Sequence, residues 1–410
     1  MTLQSSPETA VGTQSLDWWR ILPVFVIVCA YAAGTAAVLP VLPFLIRSIG
    51  GTPLVLGIVI AAEAVGQFVS APALGQFSDR YGRKHIIIAC QVVAAASLLL
   101  LVFAPNVAVI LIARAMFGLT AGNISATAAY VADHTNAGNR RQAMGILMGS
   151  AGVGGIVGAG LSGLLSDTSL TAPILAAFAL VVLAIGVTVM QLDNSPGFGR
   201  ANGHRPSAEK ASFKAILASP AIRVLVVVML CHFLAYGMYI SQMPVFLGDT
   251  FVWNGHAFTA KELSYLIMAD GGINVFAQLF LLGWLSRCLT ERSLILLIFA
   301  LIATGFLTAG LATTIPVLLL AVFCVSTGDA LAKPTYMAAL STRVAPERQG
   351  FVMGAAQSLV ALADIASPVL AGFILGYALY GVWIGIAVAI AATGALIAAA
   401  RLPKCDGAFA

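Results

Sequence analysis

Long apolar runs recur from one end of this chain to the other, each near or above the roughly 20 residues that a helix needs to cross a bilayer's hydrocarbon. They fall near 20–46, 53–77, 86–104, 107–133, 143–165, 172–192, 217–247, 262–286, 294–312, 315–340, 349–376 and 378–400. The runs are continuous rather than alternating every second residue, so they predict helices and exclude a barrel of strands. Composition points the same way. Of 410 residues, 60% are hydrophobic and 9% charged, whereas a soluble domain carries about 25% charged residues. No single aqueous core of this size hides so much apolar surface. Lipid is the solvent that accepts it.

The basic residues orient the runs. With both termini inside, the cytoplasmic side receives Arg20, Arg80, Arg83, Lys84, Arg140, Arg141, Arg200, Arg205, Lys210, Lys214, Arg223, Arg287, Arg292, Arg343, Arg348, Arg401 and Lys404. The outer side receives Arg47 and Lys261, and Arg114 and Lys333 lie within spans. So lopsided a distribution is the positive-inside pattern of a multi-pass protein. The net charge of +5 therefore reports topology and implies no nucleic-acid partner. Met1 to Asp17 is polar and does not read as a cleaved signal peptide. The six cysteines are scattered, with no C-x-x-C pair, which predicts apolar fillers rather than a metal site or a disulfide framework.

The longest internal polar stretch, 193–213, is rich in Gly, Asn, Ser, Pro and basic residues and reads as a flexible cytoplasmic linker. It divides the chain into an N-terminal bundle, 1–192, and a C-terminal bundle, 214–410. The two halves echo each other. Gly75-Gln-Phe-Ser-Asp79 recurs as Gly283-Trp-Leu-Ser-Arg287, 208 residues on, and the glycines of two Arg-containing segments, Gly145 and Gly354, stand 209 apart. Six spans return the chain to its starting side, so the repeats run parallel and place a substrate site between the halves near the midplane.

The segment after the second run reads Gly75-Gln-Phe-Ser-Asp79-Arg80-Tyr-Gly82-Arg83-Lys84. Its glycines permit a tight helix-to-helix turn, Asp79 can bond backbone donors at a helix start, and Arg83 can pair with Asp133 at the inner end of span four. This segment resembles the hallmark loop of the major facilitator superfamily, with Phe77 where Leu is usual. The resemblance implies an all-α polytopic fold of twelve transmembrane helices in two six-helix bundles. It also implies that Gly75, Asp79, Arg80, Gly82, Arg83, Lys84 and Asp133 form a conformational latch rather than a substrate contact.

Further motifs narrow the resemblance. Arg114-Ala-Met-Phe117-Gly118-Leu-Thr-Ala-Gly122 in span four is similar to the family's second motif, with Phe117 in place of Gln. There the arginine is implied to lie near proton transfer, and Gly118 and Gly122 give a small-xxx-small packing face. The glycine run through Gly154 and Gly158 in span five resembles an antiporter signature, but Ala159 replaces its proline and Ser162 a glycine. Leu39-Pro40-Val-Leu42-Pro43 and Ala129-Tyr130-Val131-Ala132-Asp133 resemble twelve-helix drug/proton antiporters of the tetracycline-exporter type. Many of those place an acid in span one, and residues 20–46 contain none.

Ionisable residues inside the spans are costly against lipid, so each should face a cavity or a partner. They are Glu63 (span two), His232 (span seven), Asp270 (span eight), Asp329 and Lys333 (span ten) and Asp364 (span eleven), besides Arg114. Asp329 and Lys333 are four apart on one helix face. Both a structural salt bridge and a counter-ion role for Lys333 fit that spacing. Glu63 and Asp364 sit mid-span, where a low dielectric favours the protonated form of a carboxylate. Tyr236, Tyr239, Met238 and Met243 give span seven an adaptable lining, and Pro244 can break that helix.

The expectation is a proton-coupled secondary transporter that exports a small amphipathic compound by alternating access, acting as a monomer in a bacterial cytoplasmic (inner) membrane. A proton symporter importing a small organic anion, recognised by Lys333 and Arg114, is the other reading. There is no nucleophile elbow, clustered metal set or phosphate loop, so the chain is not expected to be an enzyme. It should need no cofactor beyond a proton gradient.

Overall fold

The computed structural model describes residues 18–135, 139–193, 219–253, 255–344 and 349–403. Most of the segment read as a linker, 193–213, lies outside them, as do both chain ends. Among the described residues, twelve helices are long and apolar enough to cross a membrane. Span one comprises Trp18–Val38 and Leu42–Ser48, interrupted around Pro40. Spans two and three are Pro53–Tyr81 and Arg83–Val102. Span four is two helices, Val107–Gly118 and Gly122–Asp133. Spans five and six are Arg140–Leu165 and Ala172–Gln191. The second half holds span seven, Pro220–Thr250, and span eight, Ala260–Phe276, which continues through one π turn to Leu282–Cys288. Spans nine to twelve are Glu291–Leu311, Ile315–Ser341, Gln349–Gly376 and Tyr380–Arg401.

Polar residues at the ends start these helices. Thr52 accepts from the Val55 N–H ahead of Pro53 at the first turn, and Asn106 accepts from the Val109 N–H. Thr259 and Glu262 form a capping box. Each satisfies a backbone donor that the helix leaves orphaned. Two expectations need correction. The segment from Gly75 is not a loop: the helix runs to Tyr81 and breaks at Gly82 alone, whose φ of +93° suits glycine. Asp79 lies in the last turn of that helix, four residues before the next helix starts at Arg83; the side chains of Gly75 and Asp79 are outside the described residues. Nor does Pro244 break span seven, whose helix passes through it; neighbouring helices support an interrupted ladder within a bundle.

Buried apolar side chains fall into separate clusters, one running from Ile222 to Leu402 and two lying almost wholly within residues 24–192. These are the cores of two six-helix bundles. The bundles touch mainly through spans two and eleven and through spans five and eight. Glycine sets how close the first pair comes, because a Cβ on Gly57 would strike the Pro368 carbonyl and one on Gly372 the Pro53 carbonyl. At the same end two ion pairs cross between halves, Arg47–Asp249 at 2.5 Å and Lys261–Asp167 at 2.5 Å. At the opposite end the pairs Arg83–Asp133 and Arg343–Glu291 each stay inside one half. There Gly145 and Gly149 of span five have open space beside them.

Candidate binding cavity

A cavity of about 500 Å³ lies between the bundles. Spans one, two and four supply one wall, and spans seven, eight, ten and eleven the other. The sequence-predicted residues Glu63, Arg114, Tyr236, Tyr239, Asp270 and Asp364 all line it. His232, Asp329 and Lys333 do not.

On the first wall, Arg114 Nη2 donates to Glu63 Oε2, across 51 residues of sequence. Arg114 is 1% exposed, and its guanidinium lies over the Phe117 ring at 5.0 Å. Phe117 stacks in turn on Tyr31, whose hydroxyl is 2.6 Å from that of Thr120. Gln67, one turn beyond Glu63, donates to its other oxygen at 3.4 Å. The pair is therefore braced, and an arginine costly to bury alone is neutralised on the spot. Small residues permit the approach, since a Cβ on Gly118 would strike the Glu63 carbonyl and one on Gly122 the Leu74 side chain.

On the second wall, the Ser326 hydroxyl donates to Asp270 Oδ1. Asp364 is exposed to the cavity and accepts no hydrogen bond among the described residues. Tyr239 stacks between Phe306 and Trp383, and the Trp383 indole donates to the Met238 carbonyl at 2.9 Å. Behind this wall, fully buried His232 places Nε2 3.5 Å from Asp329 Oδ1, caged by Phe233, Phe299 and Tyr336. The spacing of Asp329 and Lys333 admits an ion pair that does not form: Asp329 turns to His232, while Lys333 is exposed and within electrostatic reach of Asp364.

At the far end of the first bundle, Arg83 Nε donates to Asp133 Oδ2 and Arg83 Nη1 to Ser78, both at 3.1 Å. Lys84 bonds the carbonyls of Val189 and Leu192 at 2.9 and 2.7 Å, tying span three to the end of span six. Arg80 lies over the Tyr81 ring at 5.5 Å. In span five, Gly154 and Gly158 pack on the Cys29 and Ala33 carbonyls of span one. Sequence reasoning missed Gln67, Ser326 and Ser367 as cavity residues. Their signal was faint: a polar side chain one turn from a predicted acid, on the same helix face.

Two facing bundles around a central cavity with ionisable walls are the arrangement of a membrane transporter. The chain belongs to the Major Facilitator Superfamily, whose model matches residues 24–368. It is a multi-pass membrane transporter and not an enzyme. It is 31% identical over 367 residues to the class G tetracycline resistance protein of Vibrio anguillarum, covering 86% of this chain and 89% of that one. It is 27% identical over 349 residues to multidrug resistance protein 2 of Bacillus subtilis, covering 83% and 85%. Its fold is similar to that of the solved nucleoside transporter NupG, with a TM-score of 0.76 at 12% identity over 92% of this chain and 98% of that one.

Proposed function

We propose that this protein is a proton-coupled antiporter that exports a small amphipathic compound, in most cases a cation, across a bacterial cytoplasmic membrane. The observation that carries this reading is the charge of the cavity lining. Glu63 and Arg114 cancel, leaving Asp270 and Asp364 as the charged groups on a wall of aromatic, Met, aliphatic and serine side chains. Such a wall accepts an apolar body and repays the desolvation of one positive group. The tetracycline and multidrug resistance relatives support export.

The import of organic anions loses its footing in the same geometry. Arg114 is held by Glu63, and Lys333 stands outside the cavity. The end rich in Lys and Arg is assigned to the cytoplasm, with both termini and the linker 193–213 there. The two cross-bundle ion pairs then close the outer side, and the cavity faces inward. Gly75, Asp79, Arg80, Gly82, Arg83, Lys84 and Asp133 act as a latch on the cytoplasmic face, and a monomer suffices because one chain holds the whole cavity.

Inverted membrane vesicles test this. With an acid interior, adding tetraphenylphosphonium or tetracycline discharges the proton gradient in vesicles bearing wild-type protein. The Asp270→Asn/Asp364→Asn variant, present in equal amount, leaves the gradient standing. Discharge by small organic acids alone, with no response to either drug, sinks the antiport reading.

A further inference from the structure

The cavity holds several carboxylates, and their surroundings differ in a way that singles out one of them. We propose that Asp364 in span eleven is the group that takes up and releases the transported proton, and that Glu63 is not. The inference rests on the proton-coupled reading above and goes past it by naming the carrier.

Glu63 is committed. One oxygen accepts from Arg114 and the other from Gln67. Protonating it would leave a 1% exposed guanidinium without its counter-ion, and a buried charge whose partner is removed is strongly destabilising. Glu63 is therefore held in a fixed pair, with both oxygens engaged. Asp270 is engaged by the Ser326 hydroxyl and Asp329 by His232. Asp364 alone among these acids makes no hydrogen bond or ion pair among the described residues, and it opens onto the cavity. Its carboxylate can take a proton from cavity water, becoming a neutral acid, and return it to water without breaking any bond to the protein.

The surroundings of Asp364 come from every helix around it. Tyr236 and Tyr239 of span seven and Asp270 of span eight share the cavity with it. Asp329 and Lys333 of span ten are within electrostatic reach. Across the cavity stand Glu63 and Arg114 as a neutral pair. Span eleven itself carries no other ionisable residue between Gln349 and Gly376.

Position links that proton to movement. Pro368, one turn on, has no N–H, so the Asp364 carbonyl loses its usual helical donor. The Pro368 carbonyl is the surface against which Gly57 of the other bundle packs, and it also accepts from Gln242 at 3.5 Å. Gln242 reaches the Pro53 carbonyl as well, at 3.2 Å. A change of charge at Asp364 thus occurs one turn from the seam on which the bundles rock.

Infrared difference spectra of the reconstituted full-length protein, recorded between neutral and acid pH without substrate, read the proton directly. Acidification should raise a protonated-carboxyl C=O band in wild type. Asp364→Asn should lose it, Asp364→Glu should retain it at a shifted frequency, and Glu63→Gln and Asp270→Asn should leave it in place. Gel filtration in detergent checks that each variant is folded. Survival of the band in Asp364→Asn, or its loss in Glu63→Gln, overturns the assignment. Proton movement driven by tetraphenylphosphonium in the same vesicles separates the two readings. If the band follows Asp364 while this cation moves no protons, the assignment of the carrier stands and the cation-export reading falls.

Discussion

The pairing of Glu63 with Arg114 makes a double-mutant cycle informative. Removing one partner strands a buried charge, so Arg114→Gln alone should cost about 3–5 kcal/mol. The double variant Glu63→Gln/Arg114→Gln replaces two charges by two amides that can bond each other. It should be milder than the sum of the singles, with a coupling of roughly 1–3 kcal/mol. Thermal unfolding in detergent reads all four corners, and additive losses would show that the pair does not form. Both residues were legible in the sequence as ionisable groups too costly to face lipid. Their pairing was not, because hydropathy carries no information on how each helix is rotated about its axis. The same gap explains Asp329. Its spacing from Lys333 suggested an intrahelical pair, yet the fold brings His232 of span seven to it.

At the scale of elements, span five shows how one glycine run serves two neighbours. Gly154 and Gly158 face span one, while Gly160 and Gly163 face Met268 and Ser264 of span eight. Gly155 faces open space. Gly158→Val should therefore destabilise by about 1–3 kcal/mol, because the Ala33 backbone cannot yield to a new side chain. Gly155→Ala should be neutral or slightly stabilising, since alanine favours helix over glycine by up to about 1 kcal/mol. Equal melting temperatures for the two variants would refute this division of faces. All twelve spans were readable from hydropathy, with ends that shift by only a few residues. What hydropathy missed were events inside helices. The break at Leu119 to Ala121 contains no proline, and the helix through Pro244 does. The break in span four is flanked by close tertiary contacts, Gly118 against Glu63 and Gly122 against Leu74, which hydropathy does not register.

For the molecule as a whole, the closed end is where a conformational prediction belongs. Arg47 and Lys261 were the two cations that the charge pattern left outside. The structure gives each a partner on the opposite bundle: Asp249, which also accepts from Tyr380 at 2.9 Å, and Asp167. Arg47 is 62% exposed, so its pair contributes only about 0.2–1 kcal/mol to closure. A contribution of that size shifts a two-state equilibrium without locking either state. Arg47→Gln should therefore raise the outward-open population roughly 1.5- to 5-fold, and adding Lys261→Gln should raise it further. The readout is the rate at which a membrane-impermeant thiol reagent, added outside, labels Ile240→Cys in a background lacking the native cysteines. Ile240 lines the cavity behind the closed seam. Because the pairs sit in water, concentrated salt should speed labelling of the parent and narrow its difference from the variants. Labelling insensitive to both charge and salt would instead leave the buried seam of Gly57, Gly372 and Gln242 as what holds this end shut.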